Sequence, residues 1–323
     1  MQPAAERFWT ALEQHSGIAL SEGTRQLSYA ELRHEVAARA SRLEALGVAR
    51  VALALDNGLE WALWDLALLR AGLVCVPLPG FFSPAQQAHV LEHAGIDCLI
   101  GATPAPIERS SFTAQEPGLY LRQPGAVTAV PPGTLKITYT SGTTGQPKGV
   151  CLDARAQLAV AESLWQASLP CAVEHHLCVL PLATLLENIA GLYAPLLAGA
   201  RVELRPLAEV GFSGAAGFDL PRFLGTLNES RPHSLILLPQ LLLALISAAE
   251  QGLPLPPALR FIAVGGGRVA PQLLERAERL GLPVFEGYGL SECASVVCLN
   301  TPVARRIGTV GRPLPHAELR LAD

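Results

Sequence analysis

Short apolar runs alternate with stretches of helical period along most of the chain, and this alternation limits the fold more than any other feature. Val51–Leu55, Val74–Pro77, Cys98–Ile100, Leu135–Thr140, Leu177–Leu180, Arg201–Leu204, Ser234–Leu237, Phe261–Val264 and Pro283–Glu286 read as strands. Between them lie helical patterns over Ser28–Leu46, Leu59–Ala71, Pro84–Ala94, Ala154–Ala167, Leu185–Leu197, Leu220–Glu229, Gln240–Glu250 and Pro271–Leu280. In the first of these, Leu32, Val36, Ala40 and Leu43 share one face and Gly47 ends the helix. Alternation of this kind predicts an α/β protein of two layered lobes with largely parallel sheets. The Pro-, Gly- and Ser-rich stretch 101–133 reads as irregular connection and divides lobes at 1–133 and 134–302; a second loop spans 206–218.

Composition supports this and removes several function classes. Of 323 residues, 50% are hydrophobic and 16% charged, enough for large cores and too apolar for disorder. A net charge of −4 offers no basic field for a nucleic-acid backbone. The 7 cysteines include no CxxC pair and lie mostly in apolar runs, so they read as small buried hydrophobes in a reducing compartment. The start carries acids and no apolar signal core, and the longest apolar run, 235–249, is broken by Pro239 and Gln240. The expectation is a soluble, cytoplasmic protein with no transmembrane segment.

The most informative loop follows the strand ending at Thr140. Ser141, Gly142, Thr143, Thr144, Gly145, Lys148 and Gly149 place hydroxyls, glycines and a cation within nine residues. Glycines let backbone N–H groups approach an anion, hydroxyls add donors, and lysine adds charge, which is what a polyphosphate needs. It is not a Walker loop, because Pro147 precedes Lys148 and Gly149 follows it, leaving no hydroxyl for magnesium. An ordinary Gly/Ser/Thr turn is the plainer alternative.

The segment Thr140-Ser-Gly-Thr-Thr-Gly-Gln-Pro-Lys-Gly-Val150 resembles the phosphate loop of the adenylate-forming superfamily, which includes acyl- and aryl-CoA synthetases, peptide-synthetase adenylation domains and luciferases. Further matches come in the family's order: the acyl-pocket helix in 180–199, Gly265-Gly266-Gly267 after a strand, and Glu286-Gly-Tyr-Gly-Leu-Ser-Glu292. Leu27-Ser-Tyr-Ala-Glu-Leu32 matches near the start, and Gly308-Thr-Val-Gly-Arg-Pro313 resembles the entry to a β-rich subdomain, of which 303–323 would be the beginning. The family's ribose-binding aspartate, hinge and mobile C-terminal domain have no counterpart in this sequence, and the resemblance implies that this portion adenylates poorly alone.

The resemblance also implies roles. Ser141 to Gly145 and Lys148 would hold the β- and γ-phosphates of ATP; Gly265, Gly266, Gly267, Gly287 and Gly289 would leave room for the purine, and Tyr288 would stack on it. Ser291, where the family usually has threonine, would donate to the α-phosphate. Glu292, with Thr140, would bind Mg2+. Lys148, Ser291 and Glu292 form the implied catalytic set, and Thr184, Leu185 and Asn188 the implied acid pocket. A carboxylic acid would be joined to AMP with loss of pyrophosphate, then passed to the thiol of CoA or of a carrier protein's phosphopantetheine.

The run Leu180-Pro-Leu-Ala-x-x-x-Glu187 looks most like fatty acyl-CoA synthetases, with Thr184 replacing their usual histidine. A fatty or other apolar acid is therefore the expected substrate, with an aryl acid as runner-up. The competing class is a non-catalytic acyl- or nucleotide-binding module of the same fold; Thr184 and Ser291 favour it, while the intact loop and Glu292 oppose it. His89-Val-Leu-Glu-His93 has an inverted zinc-peptidase spacing but no clear third acid, and His175-His176 reads as an ordinary strand entry.

Overall fold

The computed structural model describes residues 3–102, 112–123, 128–140, 146–213 and 217–320. Two large sheets carry the fold. The first has seven strands, in the spatial order Thr113–Glu116, Leu119–Leu121, Cys98–Gly101, Arg50–Ala54, Val74–Pro77, Thr134–Thr140, Lys148–Asp153. The second has nine: Arg312–Pro313, Ser295–Leu299, Val284–Leu290, Phe261–Val264, Ser234–Leu237, His175–Leu177, Arg201–Glu203, Ile18–Glu22, Arg25–Ser28. Strands in the middle of each sheet pair in parallel and those towards the edges antiparallel.

Helices Leu59–Ala71 and Ala154–Ser168 touch strands of both sheets and form a middle layer. The sequence LEWALWDLALLRA explains why: it is apolar almost all round, and every residue of Leu59–Leu69 except Glu60 is buried. Helices Leu220–Ser230, Pro239–Glu250 and Pro271–Arg279 share a core with the outer face of the nine-stranded sheet. Helix Pro84–His93 covers the outer face of the other. The result is five alternating layers of helix and sheet.

Local signals are realised where they were strongest. Ser28 caps helix Tyr29–Leu46 with a reciprocal box to Glu31, and Gly47 closes it at φ 66°. Several boundaries differ from the sequence reading. The sheets do not part at residue 133: strands Thr134–Thr140 and Lys148–Asp153 complete the first sheet, and Ile18–Glu22 joins the second beside Arg201–Glu203. Strand partners are chosen by tertiary pairing, which a linear division cannot follow. The stretch 101–133 holds a hairpin, Thr113–Glu116 with Leu119–Leu121, and the 206–218 loop holds a small one, Phe212–Ser213 with Gly217–Phe218. No helix among the described residues is long and apolar enough to cross a membrane.

Candidate active site

The helix expected over 185–197 is interrupted. Leu185–Glu187 is α-helical, Asn188–Tyr193 widens into a π-helix, and Ala194–Leu197 resumes the α form. Such insertions recur at functional sites because they re-aim side chains. Here the widened turn sends Asn188 and Tyr193 into the protein and leaves Leu186 and Ala190 on a cavity.

That cavity, of about 260 Å3, lies between this wall, helix Ala154–Ser168 and the parallel strands Ser234–Leu237, Phe261–Val264 and Val284–Leu290. It takes Thr184 and Leu185 from the wall, Gly265 and Gly266 from the end of one strand, and Gly287, Tyr288, Gly289 and Ser291 from the next. Gly267 is exposed just beyond the lining residues. Tyr288 is 47% exposed, an aromatic face open to solvent beside two glycines. The hydroxyl of Thr184 donates to Pro181 O at 2.7 Å, so it shapes its own turn.

The glycines serve the fold as well as the cavity. A Cβ on Gly289 would lie 1.9 Å from Ser295 O, and one on Gly287 would lie 3.1 Å from Leu299 Cδ1. Their hydrogen-only side is turned to strand Ser295–Leu299, so the room expected for a purine is equally room for a bulged hairpin. A Cβ on Gly265 would meet Gly287 O at 3.3 Å. Ala294 and Ser295 follow the Ser291–Cys293 turn with φ 58° and 106°, left-handed conformations that non-glycine residues hold only under constraint.

The implied phosphate groups lie at a junction of the two sheets. Thr140 pairs in register with Lys148, and strand Lys148–Asp153 contacts the turn carrying Ser291 and Glu292. Lys148 and Glu292 are both exposed, and Thr140 is half-buried. Ser141 to Gly145 fall outside the described residues. The hairpin is anchored from below by helix Pro84–His93: His89 Nε2 lies 3.2 Å from Pro147 O, and His93 Nδ1 lies 2.7 Å from the Tyr139 hydroxyl. Burial pushes the Tyr139 phenol up to about 12. The two histidines stack at 5.2 Å against the base of the hairpin.

Asn188, expected in the acid pocket, is placed elsewhere. It is buried and bonds Lys136 Nζ and Asp65 Oδ2 (3.0 Å to the latter), away from the cavity lining. Lys136 Nζ lies 2.8 Å from Asp65 Oδ1, and the Tyr193 hydroxyl donates to Asp65 Oδ2 at 2.7 Å. Burial, then the Asp65 carboxylate, hold the Tyr193 phenol well above its ordinary range. Asn57 adds a second link between the lobes, donating to Leu180 O and accepting from Leu182 N. Sequence reasoning missed this cluster, although Lys136 is the one charge of its strand and Asp65 stands between Trp64 and Leu66 in the apolar middle of its helix.

His176 is more than a strand entry. Its side chain is buried on the cavity, with Nδ1 2.8 Å from Ser234 Oγ and Nε2 3.2 Å from Glu187 Oε1. Among the described residues, His176, Cys178 and Glu187 are the one set of three ligating groups within 4.8 Å of each other. Their polar atoms are already engaged: His176 Nε2 with Glu187 Oε1, Glu187 Oε2 with Leu180 N–H, and the Cys178 thiol donating to Gly191 O at 3.5 Å. The set reads as a hydrogen-bonded network. The Glu292 carboxylate, exposed, and the Thr140 hydroxyl, to which the resemblance gives the cation, are oxygen donors of the kind a hard cation takes.

Comparison with known families decides the kinship: the family model of the AMP-binding enzymes matches residues 8–323. The chain belongs to the AMP-binding enzyme family. A curated relative, the 2-succinylbenzoate–CoA ligase of Enterococcus faecalis, is 29% identical over 287 residues, covering 85% of this chain and 56% of its own length. The fatty acid–[acyl-carrier-protein] ligase MmaC of Mycobacterium marinum is 29% identical over 340 residues, covering 93% and 60%. Among solved structures, the anthranilate CoA ligase AuaEII in complex with anthranoyl-AMP superposes with a TM-score of 0.79 at 19% identity, covering 99% of this chain and 65% of that one. The O-succinylbenzoate CoA synthetase of Bacillus subtilis in complex with AMP gives 0.74 at 23% identity, with 97% and 65% covered. These structures establish the adenylate-forming fold. The chain spans under two thirds of the length of each of these four proteins. The matches also correct the narrower likeness to fatty acyl-CoA synthetases: ligases of aryl acids recur among these AMP-binding relatives.

Proposed function

We propose that this AMP-binding chain is the nucleotide- and acid-binding portion of an ATP-dependent ligase that converts an aryl carboxylic acid to its acyl-AMP before transfer to a thiol. One observation carries the reading: a single cavity joins the apolar acid wall at Leu185 to Tyr288 and Ser291, the residues likened to the adenine and α-phosphate contacts. Its wall at Leu185, Leu186 and Ala190 is apolar, which suits the hydrocarbon part of such an acid. Aryl-acid ligases among the relatives support the same class.

In this reading the acid lies along the apolar wall with its carboxylate towards Ser291. Its oxygen attacks the α-phosphorus of ATP as the P–O bond to pyrophosphate breaks. Lys148 offsets charge on the departing phosphates, Ser291 donates to the α-phosphate, and Tyr288 lies against the base. Glu292 and Thr140 would hold Mg2+, which when bound would supply charge neutralisation on the phosphates. Most of the acceleration comes from holding the two reactants in line. The acceptor thiol is that of CoA or of a carrier protein; both kinds of ligase occur among the relatives.

The test is release of pyrophosphate and formation of aroyl-AMP, followed by mass spectrometry, on incubation with ATP, Mg2+ and a panel of benzoic, cinnamic and C6–C16 alkanoic acids. Adducts with aryl acids support the reading. Adducts with long alkanoic acids alone overturn the substrate class, and tight acid or ATP binding with no adduct, in the full-length protein as well, favours the non-catalytic module.

A further inference from the structure

The floor of the cavity is polar in a way an apolar acid does not need. Strands Ser234–Leu237 and Phe261–Val264 run parallel, with Ser234 opposite Phe261 and Leu237 opposite Val264. Gly265, at the rim, is therefore four residues along the sheet from Ser234, roughly 13 Å at a strand's rise per residue. Both Ser234 and Gly265 line the same cavity. An acid whose carboxylate reaches Ser291 would point its far end towards Ser234.

The hydrogen bonds at that end are directional. Glu187 accepts from Leu180 N–H through Oε2 at 3.2 Å and faces His176 Nε2 through Oε1 at 3.2 Å. The carboxylate thus calls for a hydrogen on Nε2, which leaves Nδ1 to accept the Ser234 hydroxyl at 2.8 Å. Ser234 Oγ has then spent its one hydrogen, and its remaining lone pairs accept. Gly191 makes the network possible, since a Cβ there would lie 2.4 Å from Glu187 Oε1 and 2.9 Å from His176 Nε2. Ser234 and His176 are buried among Phe261, Val173 and Leu164, so a donor arriving there has little water to compete with.

We propose that Ser234, oriented by the His176–Glu187 pair, reads a hydroxyl or amino hydrogen-bond donor at the far end of an aryl acid. The inference rests on the acid-adenylating reading and narrows its substrate to aryl acids with a distal donor. The relay fixes polarity: a distal donor is favoured, while a methyl of similar size leaves the Ser234 lone pairs unmet.

The test uses non-hydrolysable acyl-sulfamoyl adenosines titrated calorimetrically into the chain: benzoyl, 4-hydroxybenzoyl, cinnamoyl, 4-hydroxycinnamoyl and 4-methylcinnamoyl. The expected result is about tenfold tighter binding of a hydroxylated analogue than of its plain and methyl counterparts, the worth of one buried hydrogen bond. Ser234→Ala should bring that ratio towards one, and Ser234→Thr, which keeps the hydroxyl, should restore it. Circular dichroism of each variant checks folding. Plain and hydroxylated analogues binding alike, or a preference that survives Ser234→Ala in a folded protein, would overturn the inference while leaving the adenylating reading intact. Failure of every analogue to bind would overturn both.

Discussion

Lys136 Nζ lies 2.8 Å from Asp65 Oδ1, a fully buried ion pair that fastens the strand leading into the phosphate loop to the middle helical layer. Asn188 and Tyr193 extend it to the wall of the acid pocket. Burying two charges is costly, and the attraction compensates only when every remaining donor and acceptor is met; here the carboxylate accepts from lysine, amide and phenol.

Removing one partner strands the other. Lys136→Met should destabilise the chain by about 3–5 kcal/mol in urea unfolding, and Asp65→Asn by a comparable amount. The double variant Lys136→Met with Asp65→Leu should recover much of the loss. A double variant no better than the singles would mean the pair holds shape through more than its charges.

Glu203 supplies a separate pH dependence. Burial by itself raises its carboxyl, but hydrogen bonds from His175, Arg205 and Ser230, with the Arg205 charge, outweigh it and bring the group down from 4.5 to about 2. A carboxyl lower in the folded than the unfolded state binds more protons when unfolded. Its stabilisation is therefore complete above about pH 5 and is lost as pH falls from there to 2. Glu203→Gln should cost on the order of 2–3 kcal/mol at pH 7, and its unfolding curve should converge on the parent's near pH 2. A gap constant with pH would contradict this.

Two glycine substitutions should act in opposite directions. Gly289→Ala drives a methyl into Ser295 O and should disrupt the hairpin beside Ser291, with loss of cooperative unfolding or of several degrees in Tm. Gly225 lies exposed within helix Leu220–Ser230, and a methyl added there would meet no atom within 4 Å. Gly225→Ala should stabilise by about 0.5–1 kcal/mol through helix propensity.

Much of this was legible in the sequence because it was local. Capping at Ser28 and Gly47, the all-apolar helix Leu59–Ala71 and the strands at Ser234–Leu237 and Phe261–Val264 follow from short-range chemistry and periodicity. The cavity's Thr184, Leu185, Gly265, Gly266 and Tyr288 stand out by motif. What the sequence hid is long-range. His176, Ser234 and Glu187 become one network only when parallel strands and the π turn bring them together, and Asn188 changes role because a π segment rotates it. Ile18–Glu22 reaches the second sheet by a pairing across more than 180 positions, which no local pattern announces.

Joint service of Lys148 and Glu292 to one magnesium-bound triphosphate is the central claim, and calorimetric titration of ATP tests it most directly. Lys148→Ala should weaken ATP binding about tenfold with or without Mg2+, because it removes a charge from the phosphates. Glu292→Gln should weaken it comparably only when Mg2+ is present, because its carboxylate acts through the cation. Binding of MgATP unchanged in both folded variants would contradict the claim.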